Sequence, residues 1–439
     1  MNDTASTSNR MLGLFTASGV SYLNLGTYYL SCLIAIMIAT FLPQTQAFLL
    51  IEFLEVPESE QGVVSGDLNF YAELVIIATV GLFGALSDRI GRRFVMAFGY
   101  LVIAVALYLT PLAKNVDELL VYRLIYAVGI AAVTCMIVTV VADYVKDRSR
   151  GKASGYLGIM NGLGAMIAAF ILIKLPANLV AAGMTPYEAG VRTYTIVASI
   201  SLIVAIINWF GLKKHAPQKE EDKPSLLTMF SEGVKAAKKP GISLAYAAAF
   251  ISRGNLAVAG TFLALWLTNH GTTNLGMTAA DALSRAGMII GISYMAAFVG
   301  APIFGVLTDR VLRTTALMIT LFIAFVGYGG TFFVTDPFGG VMIMFMIFVG
   351  LSEVGCVITS GVLIAQQTPE RIRGSVIGIF NLSGAVGILV ASKLGGYLFD
   401  SWRPAGPFIL FGLLALFVLV WAMLVKSRIK PVDIEPETA

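Results

Sequence analysis

Charge is what this chain has least of. Asp, Glu, Lys and Arg make up 13% of its 439 residues, against about 25% in an ordinary soluble domain. Hydrophobic residues reach 57%, above the usual share of about 45–50%. A water-soluble globule and a disordered chain are both excluded. Cysteine is equally scarce. Cys32, Cys135 and Cys356 all lie in apolar runs and none shares a CxxC spacing, which excludes a disulfide scaffold and points to core thiols. The two histidines, His215 and His270, fall outside the apolar runs, so no His/Cys metal cluster is expected within a membrane. A GxxxxGK[ST] loop is missing, which argues against an ATP-driven pump. The first ten residues are polar, and the run Met11–Val20 is too short for a cleavable leader. No metal or other cofactor is implied.

What remains is long apolar runs. A helix crossing a bilayer needs about 20 mostly apolar residues. Twelve stretches qualify: 27–50, 62–86, 94–113, 119–142, 153–173, 193–212, 241–268, 286–307, 314–334, 338–365, 374–399 and 407–425. Barrel-type alternation is absent, so the expectation is an all-α integral membrane protein. With the N-terminus inside, 22 of the 30 Lys and Arg fall on the inner side and five on the outer side. Arg123, Arg253 and Lys393 lie within spans. This asymmetry predicts two cytoplasmic termini in the plasma (inner) membrane. Basic residues that hug one membrane face leave no nucleic-acid site.

The longest polar stretch, 213–240, divides the spans six and six. It contains Lys219-Glu220-Glu221-Asp222-Lys223, followed by Leu226, Leu227, Phe230, Val234 and Ala237 at helical spacing. A short amphipathic helix on the inner leaflet is predicted there. The expected domains are 1–212, a linker at 213–240, and 241–439.

The two halves repeat each other. Adding 221 to Gly84, Leu86, Asp88, Arg89 and Arg92 lands on Gly305, Leu307, Asp309, Arg310 and Arg313. Adding 223 to Arg148, Arg150, Gly151, Gly155 and Gly164 lands on Arg371, Arg373, Gly374, Gly378 and Gly387. Two blocks at almost one offset predict two pseudo-symmetric six-helix bundles, as in transporters that rock about a midplane site. The segment Gly84–Arg93 resembles the signature loop of the major facilitator superfamily. Arg123, with Ala127 and Gly129, resembles that family's fourth-helix arginine motif.

The resemblance implies a conformational latch formed by Gly84, Asp88, Arg89, Gly91, Arg92 and Arg93, partnered near Gly374, with Asp309 and Arg310 as a weaker second copy. It also links Arg123 to proton coupling. Span 5 carries Leu163 where drug exporters of the family often have proline, which counts against drug export.

Five ionisable residues fall well within spans: Glu73, Arg123, Arg253, Glu353 and Lys393. Each costs about 2.5–3.5 kcal/mol at a helix centre. Such groups are kept when they pair or line a wet path. Glu73, one turn from Asn69, and Glu353 are the candidate proton carriers, because low dielectric disfavours their anions. Arg253 offers a planar fork for carboxylate or phosphate. The expected substrate contacts are Arg253, Asn255, Glu353, Lys393 and Asn69. Three basic residues against two acidic ones favour an anionic or zwitterionic substrate.

The expected function is a monomeric secondary active transporter in the lipid bilayer. It moves a small-molecule substrate, with protons, by alternating access. The alternative is a proton-driven multidrug efflux antiporter. An enzyme is not expected, because no nucleophile–base set or soluble catalytic domain is recognisable. A sensor is disfavoured by the short loops and tails.

Overall fold

The computed structural model describes residues 10–214 and 226–429. His215, the charged run Lys219–Lys223 and the tail from Lys430 onward lie outside the described residues. All twelve expected spans are helices. They run Tyr22–Glu52, Glu58–Ile90, Arg92–Leu112, Val116–Tyr144, Arg150–Ala181, Pro186–Gly211, Pro240–Asn274, Ala279–Arg310, Arg313–Phe333, Gly340–Gln367, Arg373–Ser401 and Gly406–Arg428. We number them spans 1 to 12.

Most spans outrun the apolar stretch that predicts them, and side-chain caps carry the starts of spans 1, 4 and 6 into polar sequence. Span 1 starts at a capping box in which Ser21 and Asn24 satisfy each other's main chain. Span 6 starts earlier than its apolar run through the same device between Thr185 and Glu188. Spans 5, 7 and 9 are not uniform α-helices. Each contains a π-helical turn, at Ala168–Leu172, Ala259–Leu263 and Phe325–Gly329, and span 7 has a second at His270–Asn274.

The described residues form two compact units. The first holds the chain up to Val56, from Tyr71 through span 6, and Gly276–Gly287. The second holds Pro57–Phe70, the chain from the linker helix to Leu275, and Met288 onward. The division by sequence halves is therefore crossed at two segments, for identifiable reasons. In the second unit, the Asp400 carboxylate accepts the amides of Gly62 and Val63 at 2.8 and 2.7 Å. In the first, Gly287 lies against the Ala169 carbonyl and Ile173.

The repeat in sequence is a repeat in packing. In the first unit span 1 packs on spans 4, 5 and 6, and span 3 on spans 4 and 6. In the second unit span 7 packs on spans 10, 11 and 12, and span 9 on spans 10 and 12. One repeated glycine pair explains two of these contacts. Gly164 of span 5 faces the Leu33 carbonyl of span 1, and Gly387 of span 11 faces the Phe250 carbonyl of span 7. A methyl group at either site would collide with main chain, so only glycine permits that approach. Another repeated pair, Gly155 and Gly378, faces open space.

The predicted linker helix is present at Leu226–Ala236. Gly233 sits against Ser375 and Ile379 of span 11, and the Tyr246 hydroxyl donates to the Gly233 carbonyl at 3.0 Å. Phe230 and Val234 remain exposed on its other side.

A small antiparallel hairpin, β1 (Arg10–Met11) and β2 (Leu14–Phe15), has no counterpart in the sequence reading. Leu12 and Gly13 turn it with positive φ. It is fastened to the loop between spans 4 and 5. The Lys146 amide donates to the Phe15 carbonyl and the Ala17 amide to the Tyr144 carbonyl, both at 2.9 Å. The Arg148 guanidinium stacks on the Phe15 ring at 3.2 Å.

The glycine contacts generate a stability prediction. Gly164→Ala and Gly387→Ala each overpack a helix contact and should destabilise by about 1–3 kcal/mol. Gly155→Ala should be neutral or stabilising by up to about 1 kcal/mol, since it removes a helix glycine into open space. Thermal unfolding of the purified variants in detergent checks both signs.

Candidate functional site

The second unit holds all five of the expected substrate residues. Glu353 lies mid-span in span 10 with 4% of its surface exposed. Its Oε1 is 2.9 Å from the Tyr328 hydroxyl of span 9. That hydroxyl also donates to the Asn255 main-chain carbonyl of span 7, at 2.9 Å. Three spans therefore meet at one hydroxyl. The side-chain amide of Asn255 is fully buried and makes no hydrogen bond among the described residues. Arg253, two residues earlier, is exposed, while its aliphatic stem packs at Gly384 of span 11.

Asn69 and Lys393 also belong to this unit, in other roles. Asn69 donates its amide to the Thr261 hydroxyl, inside the π-helical turn of span 7. Lys393 is engaged by Asp67, with Nζ 2.6 Å from Oδ1, and its ammonium stands 6.0 Å from the Phe70 ring centroid. Sequence reading passes over Asp67, although it lies within the predicted second span. Lys393 is held by an acid of span 2, a pairing that sequence reading does not supply. Tyr328 is also passed over. Its signal is a hydroxyl-bearing aromatic set among glycines, Gly327-Tyr328-Gly329-Gly330.

In the first unit, Arg123 is buried, with its guanidinium 5.5 Å from the Tyr126 ring centroid. Tyr194 stands within electrostatic reach, and its hydroxyl bonds Thr45 at 2.8 Å. Arg123 thus lies among aromatic hydroxyls of spans 4 and 6 and a threonine of span 1. Glu73 is half-buried on span 2 in the same unit.

The signature loop is built around Arg92. Gly91 caps span 3 at φ 96°, a conformation that glycine adopts without strain. The turn carries Arg92 back so that Nη1 reaches Asp88 Oδ1 at 2.5 Å and Ser87 Oγ at 2.9 Å. Its Nε reaches Asp143 Oδ2, near the end of span 4, at 3.1 Å. Arg93 covers the Trp209 ring at 5.1 Å. The partner found inside the unit is therefore Asp143. The hairpin grips Tyr144 and Lys146 immediately beyond it.

The second copy keeps the scaffold and drops the clamp. Ser87 bonds the Gly84 carbonyl at 2.7 Å, and Thr308 bonds the Gly305 carbonyl at 2.7 Å. Leu312 replaces Gly91 and has φ −55°, so the left-handed turn is gone. Arg313, the counterpart of Arg92, has a buried Nε without a hydrogen-bond partner among the described residues. Ile364 and Gln366 stand at the offsets from Asp143. Asp309 and Arg310 consequently lack the clamp that surrounds Asp88.

Twelve spans, a doubled packing scheme and a buried polar group among helices define a membrane transporter fold. A family model for the Major Facilitator Superfamily matches residues 27–333 and 242–439, and the chain belongs to that family. The magnetosome protein MamZ of Paramagnetospirillum magneticum is 27% identical over 406 residues, covering 90% of this chain. The match spans only 61% of MamZ's own length. The magnetosome protein MamH of the same organism is 25% identical over 409 residues, covering 91% of this chain and 92% of MamH. The crystal structure of the nucleoside transporter NupG superposes with a TM-score of 0.69 at 14% identity, covering 94% of this chain and 100% of that one. That likeness establishes the fold.

The Arg92 clamp generates a second prediction. Asp143→Asn removes one charged hydrogen bond from a buried guanidinium and should cost about 1.5–3 kcal/mol. Cys135 of span 4 packs beside Gly84, whereas Cys32 and Cys356 are fully buried. A maleimide should therefore label Cys135 several-fold faster in Asp143→Asn than in the unmodified chain. Equal labelling rates would mean that Asp143 does not hold the loop.

Proposed function

We propose that this chain is a proton-coupled secondary transporter of a small organic solute, working by alternating access. The observation that carries this reading is Glu353, a carboxyl buried mid-span and hydrogen-bonded to Tyr328. A carboxyl is expensive at that depth, and one kept there marks a proton or ion path by default. Glu73, half-buried on span 2, is the second candidate carrier, and Arg123 is the cation that tunes coupling.

The substrate is anionic or zwitterionic. Arg253 supplies the recognising charge, because its planar fork suits a carboxylate or phosphate and the residue is exposed. The buried, unbonded amide of Asn255 supplies a nearby donor and acceptor, and Glu353 takes the ammonium of a zwitterion. Asp88, Arg89 and Arg92 act as the conformational latch. The working organisation is two six-helix bundles, 1–212 and 241–439, joined by the 213–240 linker. The protein acts as a monomer in the inner membrane with both termini cytoplasmic, following the placement of Lys and Arg.

The test begins with a thermal-shift panel of organic anions, zwitterions, neutral sugars and lipophilic cations on the purified chain. A ligand at about 100 times its dissociation constant adds about 2.7 kcal/mol. Flux of the stabilising compound is then followed in proteoliposomes under imposed proton or sodium gradients. Glu353→Gln should abolish accumulation driven by a proton gradient while leaving solute exchange intact. Arg253→Ala should weaken anion binding about tenfold or more, the loss expected of one charged hydrogen bond. Flux that ignores both gradients, with Glu353→Gln and Glu73→Gln fully active, would sink the proposal. Stabilisation by lipophilic cations alone would assign multidrug efflux instead.

A further inference from the structure

The Tyr328 hydroxyl has one proton and two oxygen neighbours at the same distance. The Asn255 carbonyl and Glu353 Oε1 are each 2.9 Å away. An ionised Glu353 would compete with the carbonyl for that proton and leave one lone pair facing another in a buried site. A protonated Glu353 removes the conflict. Its O–H then donates to Tyr328 Oη, and Tyr328 donates onward to Asn255.

The carbonyl at the end of this relay is not an ordinary helical one. The Ala259 amide, which would close the next α-helical bond, is shared between the carbonyls of Asn255 and Leu256. The π-helical turn begins at that residue. The Asn255 carbonyl therefore has a divided main-chain donor and depends on Tyr328 for its second bond. Tyr328 itself lies in the π-helical turn of span 9. Helices that depart from the α pattern at one turn are frequent at functional sites.

The first unit contains a reference for this arrangement. Tyr100 of span 3 donates to the Ser31 carbonyl of span 1 at 2.5 Å. Both tyrosines are fully buried. Ala132 and Ile130 stand at the repeat offsets from Glu353, so the first unit has no carboxyl at the position equivalent to Glu353.

We propose that Tyr328 is a positioning residue that transmits the protonation of Glu353 to the α-to-π junction of span 7. With the proton on Glu353, the relay clamps the Asn255 carbonyl. When the proton leaves, Tyr328 donates to the carboxylate, the carbonyl loses its second donor, and the junction loosens. Asn255, two residues after Arg253, then moves with it. The other titratable groups facing this point are Cys356, one turn along span 10, and Tyr294 of span 8. The inference rests on reading Glu353 as the proton carrier.

The experiment is hydrogen–deuterium exchange of residues 255–263 in the full-length purified chain, read on the acid and alkaline sides of neutrality. Rates are corrected for the intrinsic pH dependence of exchange. Protection should fall about 3- to 10-fold as pH rises, the range set by one net hydrogen bond. In Glu353→Gln the amide N–H replaces the acid proton, so protection should stay high at every pH. In Tyr328→Phe it should stay low at every pH. Tyr100→Phe should leave the pH response of 255–263 unchanged. If Tyr328→Phe does not fold, the contrast between the unmodified chain and Glu353→Gln still decides. Protection that is constant with pH in the unmodified chain, or that follows the same pH curve in Glu353→Gln, would overturn the relay. Proton-driven flux that disappears in Glu353→Gln while exchange is unmoved would overturn the relay alone. Flux and exchange both unmoved would overturn the reading of Glu353 as well.

Discussion

A charge or an unbonded polar group is costly to leave in hydrocarbon without a partner, and much of this structure follows from that constraint. Arg92 is buried because two carboxylates and a hydroxyl surround it. Lys393 is tolerated in span 11 because Asp67 takes its charge. Glu353 survives mid-span because a tyrosine hydroxyl reaches it from another helix. These solutions differ in stiffness. Lys393 and Asp67 are both partly exposed, so water can screen and replace their bond. Arg92 and Glu353 have little water to turn to, and removing a partner there strands the group. The exposed pair is the easier of the two kinds to break.

The same constraint explains how much was legible in the sequence. Long apolar runs permit only helices, so twelve spans could be counted and were found. The Gly84–Arg93 and Arg148–Gly151 blocks disclosed the repeat, and the packing pairs obey it. The partners were not legible. A lysine in an apolar run announces that it needs an acid, but Asp67 is 326 residues away from Lys393 in the chain. Asp143 was invisible for a related reason. It lies just past the predicted end of span 4, where a carboxylate reads as ordinary loop charge. The hairpin was missed because two-residue strands carry no periodicity. Its evidence is its attachment to Tyr144, Lys146 and Arg148, which only the fold supplies.

The π-helical turns belong to a third category. Shifting one hydrogen bond from one carbonyl to the next changes the helix energy by little, so no local sequence signal marks it. Neighbours decide it instead. Span 7 turns at Ala259, where Tyr328 supplies a donor to Asn255 and Asn69 bonds Thr261 within the turn. The glycine at Gly254, visible in the sequence, has another cause. A Cβ there would collide with the Phe411 ring, so Gly254 serves the contact with span 12.

The repeat also separates scaffold from chemistry. Residues that match across the halves carry packing: Gly164 with Gly387, Ser87 with Thr308. Asp88 and Arg92 keep counterparts in Asp309 and Arg313, but other buried polar residues do not match. At the two offsets, Arg123 corresponds to Met344 or Met346, and Tyr328 to Leu107 or Val105. The clamp on Arg92 exists in the first unit, and the buried hydroxyl–carboxyl pair in the second. Identical halves would present the same charges twice, at twice the insertion cost. Divergence lets each half keep one costly polar assembly while the shared glycines keep both halves in the same fold. On this argument the unmatched buried polar residues, rather than the matched signature, distinguish this chain's chemistry from that of other transporters with its fold.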